Sequence, residues 1–261
     1  MSLTMALSIV GLSSVLMASG YFLTERLHVQ VKAGHLKQIL SLGAGFLLAL
    51  VFLELIPETI EYFPGDSKTP LMLVLVGALG CLGLDHILTP RLRFLDALIP
   101  IDHHGHDHDH EHHHHLLAHG QACSTLGCLV ICAFFDGIAL SSSLLGGVSL
   151  GGFVFIGQMF HLLPEGLLAA SVVLAAGGKL EVARRASIAT ALACLVGALI
   201  PMFGFGLTNF YWLPLSCGIL LYVSLGQLIP AAASHGKSVI WIFVGALTFL
   251  GLDAAISYYI P

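Results

Sequence analysis

The chain has 261 residues, of which 57% are apolar and only 10% are charged, and its mean hydropathy is +0.92. A soluble domain carries about 25% charged residues, so this composition argues against a soluble protein and predicts a membrane protein. The net charge is −5 and the sequence has no basic patch, which argues against a nucleic-acid partner and leaves the lipid bilayer as the expected surrounding.

Eight apolar runs approach the roughly 20 residues that a helix needs to cross a bilayer. The predicted fold class is therefore an all-α membrane protein with eight transmembrane helices in one domain, residues 1–261. The first run lacks the basic start of a signal peptide and is interpreted as a retained helix. The predicted spans, in chain order, are 4–23, 37–57, 70–89, 117–144, 149–176, 186–206, 214–232 and 238–258.

Lysine and arginine predict the orientation of these spans. Nine of the ten lie in or beside the loops that follow the first, third, fifth and seventh spans, and the opposite side has only Lys68. Because cytoplasmic loops are enriched in lysine and arginine, both termini are expected outside the cytoplasm.

An internal repeat joins the two halves of the chain. Residues 76–85 read VGALGCLGLD and residues 244–253 read VGALTFLGLD, while 45–57 and 218–230 share a glycine and a closing Leu-Ile-Pro. On the predicted topology the repeats are inverted, in a 3+2+3 arrangement around the fourth and fifth spans, and transporters place substrates at such interfaces. Small-residue packing motifs recur in many membrane helices, but they do not explain a ten-residue match that ends in aspartate both times.

Four candidate metal ligands lie on the two central spans. Cys132 precedes Asp136 by four residues, and His161 precedes Glu165 by four, so each pair shares one helix face. Ionisable groups inside a membrane are costly and mark functional sites. A mixed sulfur, nitrogen and oxygen set suits Zn²⁺. Cd²⁺, Fe²⁺, Mn²⁺ and Co²⁺ are alternatives, and the thiolate favours softer ions.

Each candidate has an ordinary structural interpretation as well. A lone histidine in a core is usually hydrogen-bonded, and buried cysteine often acts as a small hydrophobe. The carboxylates are harder to explain, because neither span holds a lysine or arginine. Gln158 is a candidate accessory group, and Pro164 is expected to kink the fifth span and free a carbonyl.

Most of the cysteines are interpreted as packing residues. All six cysteines fall in or beside apolar spans without paired spacing, so they do not form a secreted disulfide framework. Only Cys132 has a stronger claim to chemistry. The full set is Cys81, Cys123, Cys128, Cys132, Cys194 and Cys217.

Other polar groups mark a candidate ion path. Glu54 and Glu58 lie at the outer end of the second span, where acidic side chains attract cations, although solvated carboxylates are common there. Asp85 and His86 end the third span, and His235 follows the seventh.

The loop 90–116 carries a histidine-rich tract interleaved with carboxylates, a composition typical of flexible, loose metal binding. Its predicted cytoplasmic position suits receiving, buffering or sensing ions. A purification tag is the plain alternative, which the internal position and the interleaved acids argue against. The candidate loop ligands are His103, His104, His106, His108, His110, His112, His113, His114 and His115.

The whole chain resembles the ZIP (Zrt/Irt-like) family of divalent metal transporters, in a divergent bacterial form. The resemblance rests on the helix count, the cytoplasmic histidine-rich loop and the two central motifs, with Asp136-Gly137 on one and Pro164-Glu165-Gly166 on the other. Residues 53–58 and 221–230 also resemble the family's second and seventh helices. The resemblance implies import of Zn²⁺ or a similar ion toward the cytoplasm across a bacterial cell (inner) membrane, and a possible homodimer. It further implies that helices 1, 4, 5 and 6 move against the others.

Compared residue by residue, this chain differs from the family pattern at several positions. Cys132 stands where the family usually has histidine, and His161 matches. Ala133 and Leu162 replace polar residues that help to hold a second ion in the family, and the sixth span has no carboxylate. The resemblance therefore implies one transported-metal site, with the ion as substrate and no resident cofactor.

Three other functions are compatible with parts of the pattern. A cation-diffusion exporter also carries histidine-rich loops, but typically has six helices and a cytoplasmic metal domain. An intramembrane zinc hydrolase would use the metal to activate water and needs an open ligand position. A metal sensor would bind without transport. The sequence favours a transporter over an enzyme, and ion flux separates the hydrolase and the sensor from it.

Overall fold

The computed structural model describes residues 3–30, 33–88, 119–146, 148–203, 211–233 and 239–259, and within these ranges the chain is all-helical with no strand. The predicted all-α class is confirmed for this part of the chain. The histidine-rich tract, residues 103–115, and His235 lie outside the described residues, so their predicted roles stay predictions.

The described helices overlap the predicted spans. Helix α2 contains a π-helical turn at Val51–Leu55 between Ala33–Leu50 and Ile56–Glu61, and α7 contains one at Val223–Leu228 between Trp212–Tyr222 and Ile229–Ala233. The others are regular α-helices: α1 Leu3–Gln30, α3 Lys68–Leu88, α4 His119–Gly146, α5 Val148–Ala175, α6 Leu180–Met202 and α8 Val239–Tyr259.

Five stretches of the described chain are long and apolar enough to cross a membrane by length and composition, as expected of an integral membrane protein. They are Leu36–Glu61, Lys68–Ile87, Gly120–Leu145, Leu180–Met202 and Trp212–Ala233. Shorter apolar stretches lie in α1, α5 and α8, at Leu7–Phe22, His161–Ala175 and Val239–Ala255. Helix α3 leaves large apolar side chains such as Met72 and Leu79 exposed. Exposed apolar side chains of this kind suit a lipid-facing surface.

Glycines bring α4 against α6 and α1 against α5. A Cβ on Gly137 would overlap the carbonyl oxygen of Cys194, and one on Gly197 would overlap that of Phe134. Each glycine meets the carbonyl three residues before the other glycine, which is the symmetric crossing of two parallel helices, and α4 and α6 run in the same direction on either side of α5 in the chain. Helices α1 and α5 cross in the same way through Gly20 and Gly166. Such small residues let membrane helices pack closely.

The sequence-matched glycines of the two halves occupy equivalent crossings. Gly45 and Gly245 join α2 to α8, and Gly218 and Gly77 join α7 to α3, each against a backbone carbonyl of the facing helix. The contacts between the two halves are equivalent as well. Helix α2 packs on α5, and its counterpart α7 packs on α4. Two bundles result: the ligand bundle of α1, α4, α5 and α6, and the second bundle of α2, α3, α7 and α8.

In the second bundle, prolines follow both π-helical turns. Helix α5 continues through Pro164, whereas both π-helical turns lie just before a proline, Pro57 or Pro230. Proline lacks the N–H that would bond four residues back, and π-turns accommodate such interruptions. The predicted kink at Pro164 lies inside this continuous helix and stays a prediction.

A disulfide links the two bundles. Cys81 on α3 pairs with Cys128 on α4, with Cα atoms 6.3 Å apart. The interpretation of most cysteines as packing residues therefore does not hold for this pair. Cys123, Cys132, Cys194 and Cys217 are buried and are not disulfide-bonded.

The turns that end α2 and α5 use glycines with positive φ. Gly177 has φ of 82° and donates to the carbonyl of Leu174, while Gly178 donates to that of Val173. This is a Schellman motif, which ends a helix by satisfying its last carbonyls. It fixes the short connection to α6.

Asp66 caps the start of α3 and gives it a pH dependence. Its carboxylate accepts hydrogen bonds from the Thr69 hydroxyl and from the backbone N–H groups of Thr69 and Lys68, which lower the pKa of Asp66. A lowered pKa means that the cap is complete above the ordinary aspartate value of about 3.9 and is lost as pH falls through the lowered value.

We therefore expect amide exchange in residues 66–72 to rise at acidic pH, after correction for intrinsic exchange. Asp66→Asn keeps a capping oxygen but does not titrate, so it should remove the dependence. Hydrogen-exchange mass spectrometry checks this, and equal pH responses in the two proteins would contradict it.

Candidate metal centre

The four predicted ligands converge at the contact between α4 and α5. Potential ligand atoms of Cys132, Asp136 and Glu165 all lie within 4.8 Å of one another. The Nε2 atom of His161 lies 3.5 Å from Asp136 Oδ2, and the Cys132 sulfur lies 3.6 Å from that same oxygen. The i, i+4 spacing on each helix and the crossing of the two helices thus bring Cys132, Asp136 and Glu165 together, with His161 beside Asp136.

The centre is closed to solvent. Cys132, His161 and Glu165 are fully buried and Asp136 is 1% exposed. Two carboxylates so close together repel each other, and neither α4 nor α5 contains a lysine or arginine. An arrangement of this kind needs positive charge from another source.

Several donor atoms lack a partner in the described part of the chain. Both ring nitrogens of His161 and both carboxylate oxygens of Glu165 are buried without a hydrogen bond to any side chain that the structure describes. Buried charges in proteins are paired or coordinate metals, because an isolated buried carboxylate is costly. A divalent cation would supply what these atoms lack.

An apolar cluster that contains Ala133 and Leu162 lies beside the centre. Ala133 and Leu162 are fully buried and pack with Met17, Ala191 and Cys194. Apolar side chains offer no donor to a hard or borderline cation. The two departures therefore occupy one continuous apolar patch next to the four donor groups.

Helix α7 brings Ser216 into the centre, a residue that the sequence reasoning missed. Its hydroxyl donates a hydrogen bond to Asp136 Oδ1 and lies 3.3 Å from the Cys132 sulfur. The only sequence signal was a serine in an apolar run two residues before a repeat segment. That signal is weak, because serines in such helices commonly bond to their own helix.

The candidate path residues are placed differently. Glu54 lies in the π-turn of α2 and Glu58 one turn later, both partly buried and close enough to His161 for their charges to interact. The Tyr62 hydroxyl donates to Glu58 over 3.3 Å. Burial and the Glu58 charge raise the pKa of the Tyr62 phenol.

At the other end of the molecule, the predicted path residues have structural partners or remain exposed. Asp85 accepts a hydrogen bond from Tyr222 on α7, and His86 is exposed at the end of α3. The side chain of Gln158 lies outside the described part of the structure, so its accessory role stays a prediction.

A polar network missed by the sequence reasoning joins α7 to α4. Gln227, in the π-turn of α7, donates to Ser124 and accepts from Thr125, and its backbone carbonyl accepts from Gln121. In the repeat alignment Gln227 corresponds to Glu54 in the π-turn of α2. The matched position is thus a carboxylate in α2 and, in α7, an amide that is hydrogen-bonded to α4.

Comparison of the sequence with protein-family models found no match, and comparison with curated proteins found no significant match either. The centre is therefore interpreted from its own residues and geometry.

Proposed function

We propose that the protein transports divalent transition-metal ions, zinc first, toward the cytoplasm through one intramembrane site. Cys132, Asp136, His161 and Glu165 bind the ion. The observation that carries the proposal is the buried, unpartnered set of donors on His161 and Glu165 beside Asp136. A fully buried cluster of this charge is stabilised by a cation.

A single site follows from the apolar cluster around Ala133 and Leu162. A second ion beside the first needs donors on that face of α4 and α5, and these side chains provide none. Cd²⁺, Fe²⁺, Mn²⁺ and Co²⁺ are further candidate substrates, because a mixed donor set does not select strongly among them.

The proposed architecture is eight transmembrane helices in an inverted 3+2+3 repeat, with both termini outside the cytoplasm. The equivalent glycine crossings and the two proline-associated π-turns support the repeat. Nine of ten lysines and arginines on one side support the orientation. Donors at the midpoint of such a repeat, between two bundles, suit alternating access by movement of one bundle against the other.

Reconstituted vesicles test the function directly. Purified protein in liposomes that contain a zinc-sensitive dye should admit external Zn²⁺ or Cd²⁺ faster than protein-free liposomes. Absence of flux together with tight binding would favour a sensor, and hydrolysis of a membrane peptide without flux would favour the hydrolase.

The identity of the sulfur ligand should determine ion preference. Cys132→His replaces a soft donor with a borderline one, so zinc transport should persist while the Zn/Cd ratio of uptake rises. Competition uptake with both ions measures the ratio. Cys123→Ala, on the same helix and also buried, is the matched control and should leave it unchanged. An unaltered ratio in Cys132→His would remove the sulfur from the ligand set.

A further inference from the structure

Like Ser187, which donates to the Gly166 carbonyl, Ser216 bonds to another helix, but its acceptor is a carboxylate. Ser224 on the same helix bonds to the carbonyl of Leu221, and Ser143 on α4 bonds to that of Ala139, so both satisfy their own helices. Ser216 instead reaches across to α4 and donates to Asp136. It is 1% exposed, so water does not compete for this bond.

The contact constrains the Asp136 carboxylate at one oxygen. With Oδ1 accepting from Ser216, the second oxygen Oδ2 faces Cys132 at 3.6 Å and His161 at 3.5 Å. A hydroxyl has one proton to donate and two lone pairs. The Ser216 proton is directed to Asp136, and its oxygen lies 3.3 Å from the Cys132 sulfur.

Residues that orient metal ligands are often as important as the ligands. Losing such a partner typically lowers metal affinity about 10- to 100-fold, because the ligand must then be ordered on binding. Here the orienting hydroxyl comes from the second bundle, whereas all four proposed ligands belong to the ligand bundle.

We infer that Ser216 is a positioning residue that holds Asp136 for cation binding, so that α7 sets the affinity of a site whose ligands come from α4 and α5. This inference rests on the proposed binding of a divalent ion at these residues. It does not require that the ion be transported.

Equilibrium binding of Cd²⁺ to the full-length protein in detergent tests it, followed by the ultraviolet absorbance of the cadmium–thiolate bond. Ser216→Ala should raise the apparent Kd about 10- to 100-fold. Ser216→Thr keeps the hydroxyl and should restore binding close to that of the wild type. Ser224→Ala, a buried serine on the same helix that bonds only within it, should bind like the wild type.

In vesicles, Ser216→Ala should raise the KM for uptake by a similar factor while the maximal rate changes little. Thermal unfolding of each variant shows whether the fold is retained. Wild-type affinity in Ser216→Ala, or an equal loss in Ser216→Thr and Ser216→Ala, would overturn the positioning role.

The outcomes also separate this inference from the proposed function. A wild-type protein that binds Cd²⁺ but shows no flux removes transport and leaves the Ser216 comparison intact. A wild-type protein that does not bind Cd²⁺ overturns both. An equal loss of affinity in Ser224→Ala would show that any buried hydroxyl on α7 has this effect, which contradicts a specific contact.

Discussion

Alanine at Asp136, His161 or Glu165 is expected to abolish metal uptake by reconstituted protein. Each substitution removes a donor from a fully buried cluster. The loss should exceed the roughly 10- to 100-fold typical of residues that only orient a ligand. The initial rate of Zn²⁺ entry, per amount of folded protein in the vesicles, measures it.

Two further variants separate charge from packing. Asp136→Asn and Glu165→Gln keep the side-chain volume but remove the negative charge, so uptake should fall as it does in the alanine variants. Glu181→Ala removes an exposed carboxylate whose 2.6 Å ion pair with Arg185 is on the surface, and such pairs contribute little. Its transport should match the wild type, and unchanged flux in all the buried variants would exclude this site.

The same variants should change stability in a way that ordinary core mutations do not. Without metal, neutralising a buried, unpaired carboxylate relieves a desolvation cost, so Glu165→Gln should unfold at a higher temperature than the wild type. Added Zn²⁺ should raise the Tm of the wild type by binding the native state and should leave that of Glu165→Gln nearly unchanged. A zinc-dependent Tm in Glu165→Gln would assign the binding to other residues.

Sequence reasoning located what depends on local periodicity. The helices begin and end within a few residues of most predicted spans, because apolar runs and their polar flanks are local features. The pairing of Cys132 with Asp136, and of His161 with Glu165, follows from helical spacing alone. That the two pairs meet was only a hypothesis until the crossing of α4 and α5 was known.

Contacts between distant segments were not predictable in this way. Ser216 lies 80 residues from Asp136 along the chain, and nothing in its immediate sequence indicates that it turns toward α4. Cys81 and Cys128 are 47 residues apart without a spacing pattern, so their disulfide could not be inferred. Both depend on which helix faces which.

The sequence repeat identified some of the residues at these helix contacts. The matched glycines Gly45 and Gly218, and Gly77 and Gly245, were recognised as a sequence repeat and lie at equivalent crossings. Their counterparts in the ligand bundle, Gly137 and Gly166, were noted only as neighbours of the acidic residues. The conserved geometry across the two bundles is carried by small residues rather than by matching side chains.

The glycine beside each proposed carboxylate ligand should be intolerant of even one methyl group. In Gly137→Ala the new Cβ would overlap backbone atoms of Cys194 and Ala198, so α6 must move away from α4. Overpacking a core typically costs about 1–3 kcal/mol, and a backbone cannot relax as a side chain can. We expect a lower Tm and a loss of uptake, since the displaced segment includes Asp136.

Gly127 on the same helix provides the matched control. A Cβ there would meet nothing within 4 Å, so Gly127→Ala should keep uptake, and its stability should rise slightly because alanine has a higher helix propensity.

Gly166→Ala should behave like Gly137→Ala, because its Cβ would overlap the Met17 carbonyl at the α1–α5 crossing. Thermal unfolding in detergent compares the three variants. If the helix pairs that flank the metal centre are equivalent halves of an inverted repeat, Gly137→Ala and Gly166→Ala should lower the Tm by similar amounts. The control should not lower it. A Gly137→Ala protein as stable as Gly127→Ala would contradict the close α4–α6 contact on which the geometry of the centre depends.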